Sequence, residues 1–208
     1  MRERRIDLGV VGEGPPVLGQ AARAPIVYLA AEPPAPEAEA IIVPRDSPLR
    51  SVAELKGKTI ALNKGANVDY LILRALEEAG LSSDDVSFSF VAPTGARAAF
   101  DSREVDAWAI WSPLLDAVVR DTGARVVRDG RGLCTNVAFY IGTRDFVDGH
   151  AELVRLFLDE VRAVGTLRPM DAALVASQQE VADTFLRARV ISRSVSAADA
   201  LSSAIAWG

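Results

Sequence analysis

The sequence predicts an α/β protein built around a parallel sheet. Short apolar runs alternate with segments whose apolar residues recur every three or four positions, which is typical of strands followed by helices. After residue 150 the strand pattern stops and helical stripes remain. A chain of 208 residues, 50% of them hydrophobic, can bury a substantial core as one large domain or two small ones.

Three strands are predicted in the first part of the chain, over 6–11, 26–29 and 39–43. The glycine- and proline-rich turn 12–16 leads from the first strand into a short helix over 17–22. The prolines of 33–36 make a stiff connector before the third strand. A short helix over 52–55 then ends at a Lys-Gly pair, because glycine is the commonest residue after a helix C-terminus.

The middle of the chain repeats strand and helix. Strands are predicted over 59–62, 86–91, 105–111, 125–127 and 137–141, and helices over 68–79, 94–100 and 114–120. Two apolar stripes at helical spacing follow, and a weaker helical segment covers 197–206. The first stripe consists of Leu153, Leu156, Phe157, Val161 and Val164, and the second of Leu174, Val175, Val181, Ala182 and Phe185.

The most informative segment is the turn between the strand 59–62 and the helix after it. Lys64, Gly65, Ala66 and Asn67 bring the chain directly from a buried strand into a helix. Free backbone N–H groups and the positive end of the helix dipole meet at such a turn, which suits an anion. The same pattern is also that of an ordinary tight βα turn without a ligand, and the sequence leaves both interpretations open.

The composition of the chain argues against several classes of partner and site. The net charge of −5 argues against a nucleic-acid partner. A single cysteine, Cys134, allows no intrachain disulfide, and with a single histidine, His150, it makes no zinc site; neither a metal nor a cofactor is expected. No apolar stretch approaches the ~20 residues of a membrane helix. The basic N-terminus runs straight into Asp7, Gly9 and Glu13, so no export signal is expected and the chain would be cytoplasmic if expressed as written.

A series of short motifs occurs in a fixed order along nearly the whole chain. They are IDLG (6–9), GEGPP (12–16), EPP (32–34), IVP (42–44), DSP (46–48), VAELKGK (52–58), NKGAN (63–67), RALE (74–77), ARAAF (96–100), VDAWAIW (105–111) and QQEVADTF (178–185). In this order and spacing the chain resembles the solute-binding proteins of ABC importers for aliphatic sulfonates, with nitrate and taurine relatives.

The resemblance implies the type II periplasmic binding protein fold, in which two α/β lobes are joined by two crossover strands, here 39–43 and 137–141. It implies a continuous lobe with crossovers over 43–142 and a discontinuous lobe made of 1–42 and 143–208. At least one βα unit of the family is missing, so the discontinuous lobe is expected to be incomplete, with its first two strands short of a partner. The implied partners are a small organic anion and an ABC permease, the protein is expected to be a monomer, and family members are periplasmic or membrane-anchored extracellular proteins.

In the family the anionic head of the ligand is held by helix N-termini and small polar side chains. Carried over by motif, the candidate ligand-binding residues are Gly12, Glu13, Lys64, Gly65, Ala66, Asn67, Trp111 and Ser112. Three positions depart from the family pattern: Val11 and Ala66 replace residues with a hydroxyl group, and Ser112 replaces an aspartate. Each lost hydroxyl donor to a charged ligand costs ~1.5–3 kcal/mol, which weakens the case for an unmodified sulfonate specificity.

Each candidate also has a purely structural interpretation. Gly12 can serve a turn that needs a positive φ, Glu13 can be a charge at a helix N-terminus, and Lys64 can be a solvated loop charge.

Aromatic and polar residues outside the turns are expected to be structural, with one exception. Trp108 and Trp111 lie three apart on a strand and should point to opposite faces, with Trp111 the better candidate to line a cleft. His150 is expected to be exposed, and the pair Gln178-Gln179 is expected on the solvent face of a helix.

Three functions compete. The first is a non-enzymatic binding protein for a sulfonate-like anion, in a shortened form. The second is an enzyme on the same fold, of the thiamine-pyrimidine synthase type or of the menaquinone-pathway type, for which the single His150 and Cys134 fit poorly. The third is a non-functional fragment.

Overall fold

The elements of the protein follow the predicted order. The computed structural model describes residues 6–205. Its strands are β1 Leu8–Val11, β2 Ile26–Ala31, β3 Glu39–Val43, β4 Thr59–Leu62, β5 Ser87–Phe90, β6 Ala107–Trp111, β7 Arg125–Asp129 and β8 Phe139–Thr143. Its helices are α1 Gly14–Ala21, α2 Asn67–Glu78, α3 Pro93–Asp101, α4 Leu114–Thr122, α5 Arg144–Gly149, α6 Ala151–Val164 and α7 Ala172–Arg187. Short 3₁₀ turns cover Pro36–Ala38, Val52–Leu55, Ser83–Asp85 and Ala197–Ala200.

Packing divides the chain into two α/β units. The first unit combines Met1–Pro34 with Val137–Gly208, and the second unit is Ala35–Asn136. The sequence-based division fell at 42/43 and 142/143. Packing therefore groups 35–42 with the second unit and 137–142 with the first, because β3 and β8 each pair within those units.

The second unit contains a five-stranded sheet in the order β5-β4-β6-β3-β7. β4 is parallel to both β5 and β6, which confirms the parallel sheet predicted for these three strands. β3 runs antiparallel to β6 and β7. Alternate side chains of the buried strands feed two apolar clusters, so that Ile60 and Leu62 pack with α2 while Ala61 packs with α3.

The first unit contains a three-stranded antiparallel sheet in the order β1-β8-β2. The strands β1 and β2 were predicted to be short of a partner. β8 pairs with both of them, and each remains an edge strand of this sheet. One face of the sheet buries Tyr28 and Phe139 with Leu174 of α7. The other face buries Leu29 with Val154 of α6.

Helix α6 departs from the predicted stripe. Val154 and Leu158 are buried, whereas Leu153, Leu156 and Val164 are 54%, 59% and 88% exposed. The helix is apolar on two adjoining faces, and periodicity alone does not tell which of them meets the sheet. The predicted helix over 197–206 is a single 3₁₀ turn at Ala197–Ala200, and residue 206 lies outside the described range.

The ends of the second unit lie side by side. The N–H of Ala35 donates to the carbonyl of Thr135 at 3.0 Å, and the Asn136 side-chain amide donates to the carbonyl of Ala35 at 2.8 Å. In the first unit, the N–H of Glu32 donates to the carbonyl of Ala138 at 2.8 Å. Each unit thus closes its own chain ends with main-chain hydrogen bonds.

Between residues 6 and 205, none of the helices is both long enough and apolar enough to cross a membrane.

Candidate functional site

The second unit gathers six of the eight predicted site residues at one edge of its sheet. β4 and β6 are parallel neighbours, so the turns that follow them emerge at the same carboxyl edge. Lys64, Gly65 and Ala66 form the first turn and Asn67 begins α2. Trp111 ends β6, and Ser112 follows it in the second turn. Open α/β sheets place their ligands at this edge.

The turn after β4 is held by its own backbone and by one carboxylate. Gly65 has a φ of +80°, a left-handed conformation that favours glycine. The N–H of Ala66 donates to the carbonyl of Asn63 at 3.2 Å, and the N–H of Gly65 donates to a carboxylate oxygen of Asp69. Asn67 is the first residue of α2. Two of the N–H groups that the sequence offered to an anion are thus engaged within the turn itself.

Sequence reasoning missed Asp69, whose carboxylate accepts the hydrogen bond of the Gly65 N–H in this turn. It lies in the first turn of α2 and is only 6% exposed. Burial raises the pKa of Asp69 to about 6, while the hydrogen bond from Gly65 and the charge of Lys64 act in the opposite direction. The available signal was an acidic residue two positions after the NKGAN motif, at a helix start that already favours negative charge.

Lys64 and Asn67 have defined partners. Lys64 is exposed, and its ammonium lies 5.0 Å from the ring centroid of Phe90, a cation–π geometry. The side-chain amide of Asn67 donates to Oδ1 of Asn136 at 2.7 Å. Asn136, which sequence reasoning also missed, has a φ of +47°, and asparagine tolerates this conformation better than most residues.

The two tryptophans of β6 point to opposite faces, as predicted. Trp108 is buried and its ring centroid lies 5.8 Å from that of Phe100. Trp111 is half-buried against the cluster on the α2 side of the sheet. The N–H of Ser112 donates to the carbonyl of Ala38 at 2.7 Å, which fixes the start of the second turn.

Cys134 and Glu39 form a polar pair beside β6. The thiol of Cys134 donates to Oε1 of Glu39 at 2.8 Å, and Glu39 is fully buried opposite Trp111 in the β3–β6 register. The sequence had assigned Cys134 no role, and the structure makes it a partner of a buried carboxylate.

The remaining two predicted site residues, Gly12 and Glu13, follow β1 in the first unit. Glu13 is fully buried at the N-cap position of α1, and its Oε1 accepts from the N–H of Val137 at 3.4 Å. Gly12 is not among the described residues with a positive φ, so the turn does not need glycine for that reason. The structural interpretation of Gly12 was therefore wrong, whereas Glu13 does lie at a helix start.

Two expectations about other polar residues have opposite outcomes. His150 is exposed, as predicted, and its ring stacks on Phe146 with centroids 4.6 Å apart. The prediction that Gln178 faces solvent is wrong, because it is fully buried and accepts a hydrogen bond from the Tyr28 hydroxyl at 2.7 Å. Gln178 falls four residues after Leu174 and three before Val181, which places it on the apolar stripe of α7.

Comparisons with known proteins give consistent results. A family model described as NMT1/THI5 like matches residues 2–164. The chain is 35% identical over 226 aligned positions to an aliphatic sulfonates-binding protein of Escherichia coli (strain K12), covering 91% of this chain and 70% of that relative. The relatives are thus longer than the sequence described here.

Solved structures resemble the chain over nearly its full length. The periplasmic aliphatic sulphonate binding protein SsuA from Escherichia coli matches with a TM-score of 0.85 and 33% identity, covering 96% of this chain and 76% of that one. The alkanesulfonate-binding protein SsuA from Xanthomonas axonopodis pv. citri, bound to MOPS, matches with a TM-score of 0.87 and 34% identity, covering 95% and 80%. The desulfurization enzyme DSZB, at 20% identity and a TM-score of 0.66, shares the fold alone.

Proposed function

Because this chain belongs to the NMT1/THI5-like family, we propose that it binds aliphatic sulfonates or related small organic anions for an ABC importer. The observation that carries the proposal is the 34% identity, over 95% of the chain, to a binding protein whose structure holds a sulfonate, MOPS. The Escherichia coli SsuA protein is periplasmic. We propose the same compartment for this protein, and we propose that it is a monomer that delivers its ligand to a permease.

On the second unit, the proposed contacts are the six residues at the carboxyl edge of β4 and β6. An anion there meets the N-terminus of α2, whose dipole and amide groups favour negative charge. The half-buried Trp111 offers an apolar surface beside it for an alkyl chain. In the first unit, Gly12 and Glu13 remain predicted ligand contacts. Substitution of each residue, followed by measurement of anion affinity, tests them.

The enzymatic alternative of the sequence analysis depends on His150 and Cys134. Cys134 donates its thiol proton to Glu39, and His150 stacks on Phe146 at an exposed position of the first unit. Nucleophilic catalysis needs a nucleophile within hydrogen-bond reach of a base that a third group orients. Within 6–205, the partner of the Cys134 thiol is the Glu39 carboxylate and not His150, so the pair that the enzymatic alternative calls for is not formed.

The direct test is isothermal titration with ethanesulfonate, MOPS, taurine and nitrate. We expect the sulfonates to bind and Asn67→Asp to weaken their binding at least tenfold, which corresponds to ~1.4 kcal/mol. The variant keeps the size of the side chain, and a carboxylate at the start of α2 favours the helix, but the hydrogen bond to Oδ1 of Asn136 is lost, so a urea melt must first show that the variant is folded.

A second variant removes a donor. Gly65→Pro deletes the Gly65 N–H and cannot adopt a φ of +80°, so binding should be lost. The control is Lys56→Ala, since Lys56 is exposed and pairs with Asp85 at 3.0 Å. If Asn67→Asp and a folded Gly65→Pro both bind sulfonate as tightly as the parent, the proposed site is wrong; if no anion binds the parent, the proposed function is wrong.

A further inference from the structure

A carboxylate already occupies the turn that is proposed to receive the anion. Asp69 is 6% exposed, and its carboxylate accepts the hydrogen bond of the Gly65 N–H. A sulfonate bound at this turn would seek the same kind of donor, because sulfonate and carboxylate oxygens are both anionic acceptors. The site therefore contains a negative charge of its own at the position where the ligand's charge is needed.

The groups near Asp69 only partly compensate its charge. Lys64 is the cation whose field reaches it, and the ammonium of Lys64 also lies over Phe90. Loss of hydration on burial outweighs both Lys64 and the Gly65 hydrogen bond, so the pKa of Asp69 rises to about 6. Asp69 thus changes its charge close to neutral pH.

The other charged groups near α2 have partners of their own. α2 packs against β3, β6 and the Val52–Leu55 turn. β6 has no charged residue, Glu39 on β3 accepts from Cys134, and Glu54 on the turn accepts from the N–H groups of residues 50 and 51. On α2 itself, Arg74 contacts Tyr70 and Glu77, and Glu78 pairs with Arg128.

We propose that Asp69 is an internal competitor of the ligand, so that this turn binds an anion more tightly when Asp69 is protonated. The inference rests on the proposed function. The ionised carboxylate holds the Gly65 N–H strongly and repels a second anion, whereas the neutral acid accepts that hydrogen bond more weakly and carries no charge to repel the ligand. Anion binding near neutral pH is then coupled to the partial uptake of a proton from solvent, which ends on the Asp69 carboxylate.

The test is titration of ethanesulfonate between pH 5 and pH 8. A sulfonate stays ionised throughout this range, so any pH dependence of its affinity belongs to the protein. We expect the dissociation constant of the parent to rise about tenfold from pH 5 to pH 8, a typical size for coupling between two sites. Asp69→Asn should bind at every pH as tightly as the parent does at pH 5.

Two control variants assign the effect. Asp84→Asn removes one negative charge from an exposed position of the same unit and should leave the pH dependence unchanged. His150→Gln removes the imidazole of the first unit and should do the same. Repeating the titration at pH 7 in buffers of different ionisation enthalpy should show proton uptake in the parent and none in Asp69→Asn.

The outcomes separate the two ideas. Parent affinity that does not change with pH, or weaker binding by a folded Asp69→Asn at pH 8, overturns the role of Asp69 and leaves the proposed function standing. If Asp69→Asn binds ethanesulfonate at pH 8 and the parent does not, the result supports Asp69 as an internal competitor of the anion. Absence of ethanesulfonate binding to the parent and to Asp69→Asn at every pH overturns the proposed function, and the competitor falls with it.

Discussion

Replacing Tyr28 by phenylalanine removes one buried hydrogen-bond donor and leaves the aromatic ring in place. Tyr28 is 2% exposed, and its hydroxyl donates to Oε1 of the fully buried Gln178 at 2.7 Å. Burial raises the pKa of Tyr28, so the hydroxyl remains a donor across the working range of pH. The edge-to-face contact of the ring with Phe139, with centroids 5.3 Å apart, is kept in the variant.

The expected cost of Tyr28→Phe is ~1–3 kcal/mol in the free energy of unfolding, because Gln178 Oε1 is left buried without its donor. Gln178→Met should cost less. This variant leaves the Tyr28 hydroxyl without its acceptor. It also removes Nε2 of Gln178, which is buried without a hydrogen-bond partner among residues 6–205. The double variant should be close to the parent, since the polar atoms of the pair are then removed together and the side-chain shapes are kept.

The assay is urea denaturation of the four proteins followed by far-UV circular dichroism. Hydrogen exchange of β2, β8 and α7 assigns the change to the first unit. A coupling energy of ~1–3 kcal/mol between the two substitutions is expected. If the loss in the double variant equals the sum of the single losses, Tyr28 and Gln178 do not act as a pair and the reasoning fails.

Three further predictions address the core, the sheet edge and pH. Trp108→Ala should lower the free energy of unfolding by ~3–5 kcal/mol in urea melts, because Trp108 is 1% exposed. Trp111→Ala should lower it by less, because Trp111 is only half-buried. Equal losses in the two variants would contradict this difference in burial. Amides of β1 should exchange faster than those of β4, because β1 pairs on one side only whereas β4 lies between two strands; equal protection would argue against an open edge. Between about pH 4 and pH 6 the folded state binds a proton at Asp69 that the unfolded chain has released, since burial raises this pKa from 3.8 to about 6. The free energy of unfolding should therefore fall as pH rises through this interval, by at most ~3 kcal/mol, and urea midpoints of Asp69→Asn should lack that part of the slope.

Local patterns predicted the elements and the parallel sheet of β4, β5 and β6, but they did not predict the partner of β1. The run Thr59–Leu62 became β4 because four consecutive apolar or small residues suit a strand covered on both faces. The partner of β1 was not predictable in the same way. β8 lies far along the chain, and register between distant strands leaves no local signal.

The site shows the same limit. The NKGAN turn was predictable because a glycine between a buried strand and a helix start has few other roles. Asp69 and Asn136 were not found, since a single acid in a helix and a single amide in a loop are common on protein surfaces. Gln178 was predicted to face solvent because its side chain is polar, although its spacing from the apolar residues of α7 already placed it on the buried face.

The two ends of the second unit are hydrogen-bonded to each other. The unit is therefore an insertion in the chain that can be cut out and expressed by itself. Its first residue, Ala35, is bonded through its N–H to the carbonyl of Thr135, one position before the last residue, Asn136. Because the ends of this segment meet, they can be joined by a short link at little entropic cost, and new termini can then be placed at an exposed turn. The segment 35–136 is therefore a natural unit for building, and it carries the whole NKGAN turn and its aspartate with it.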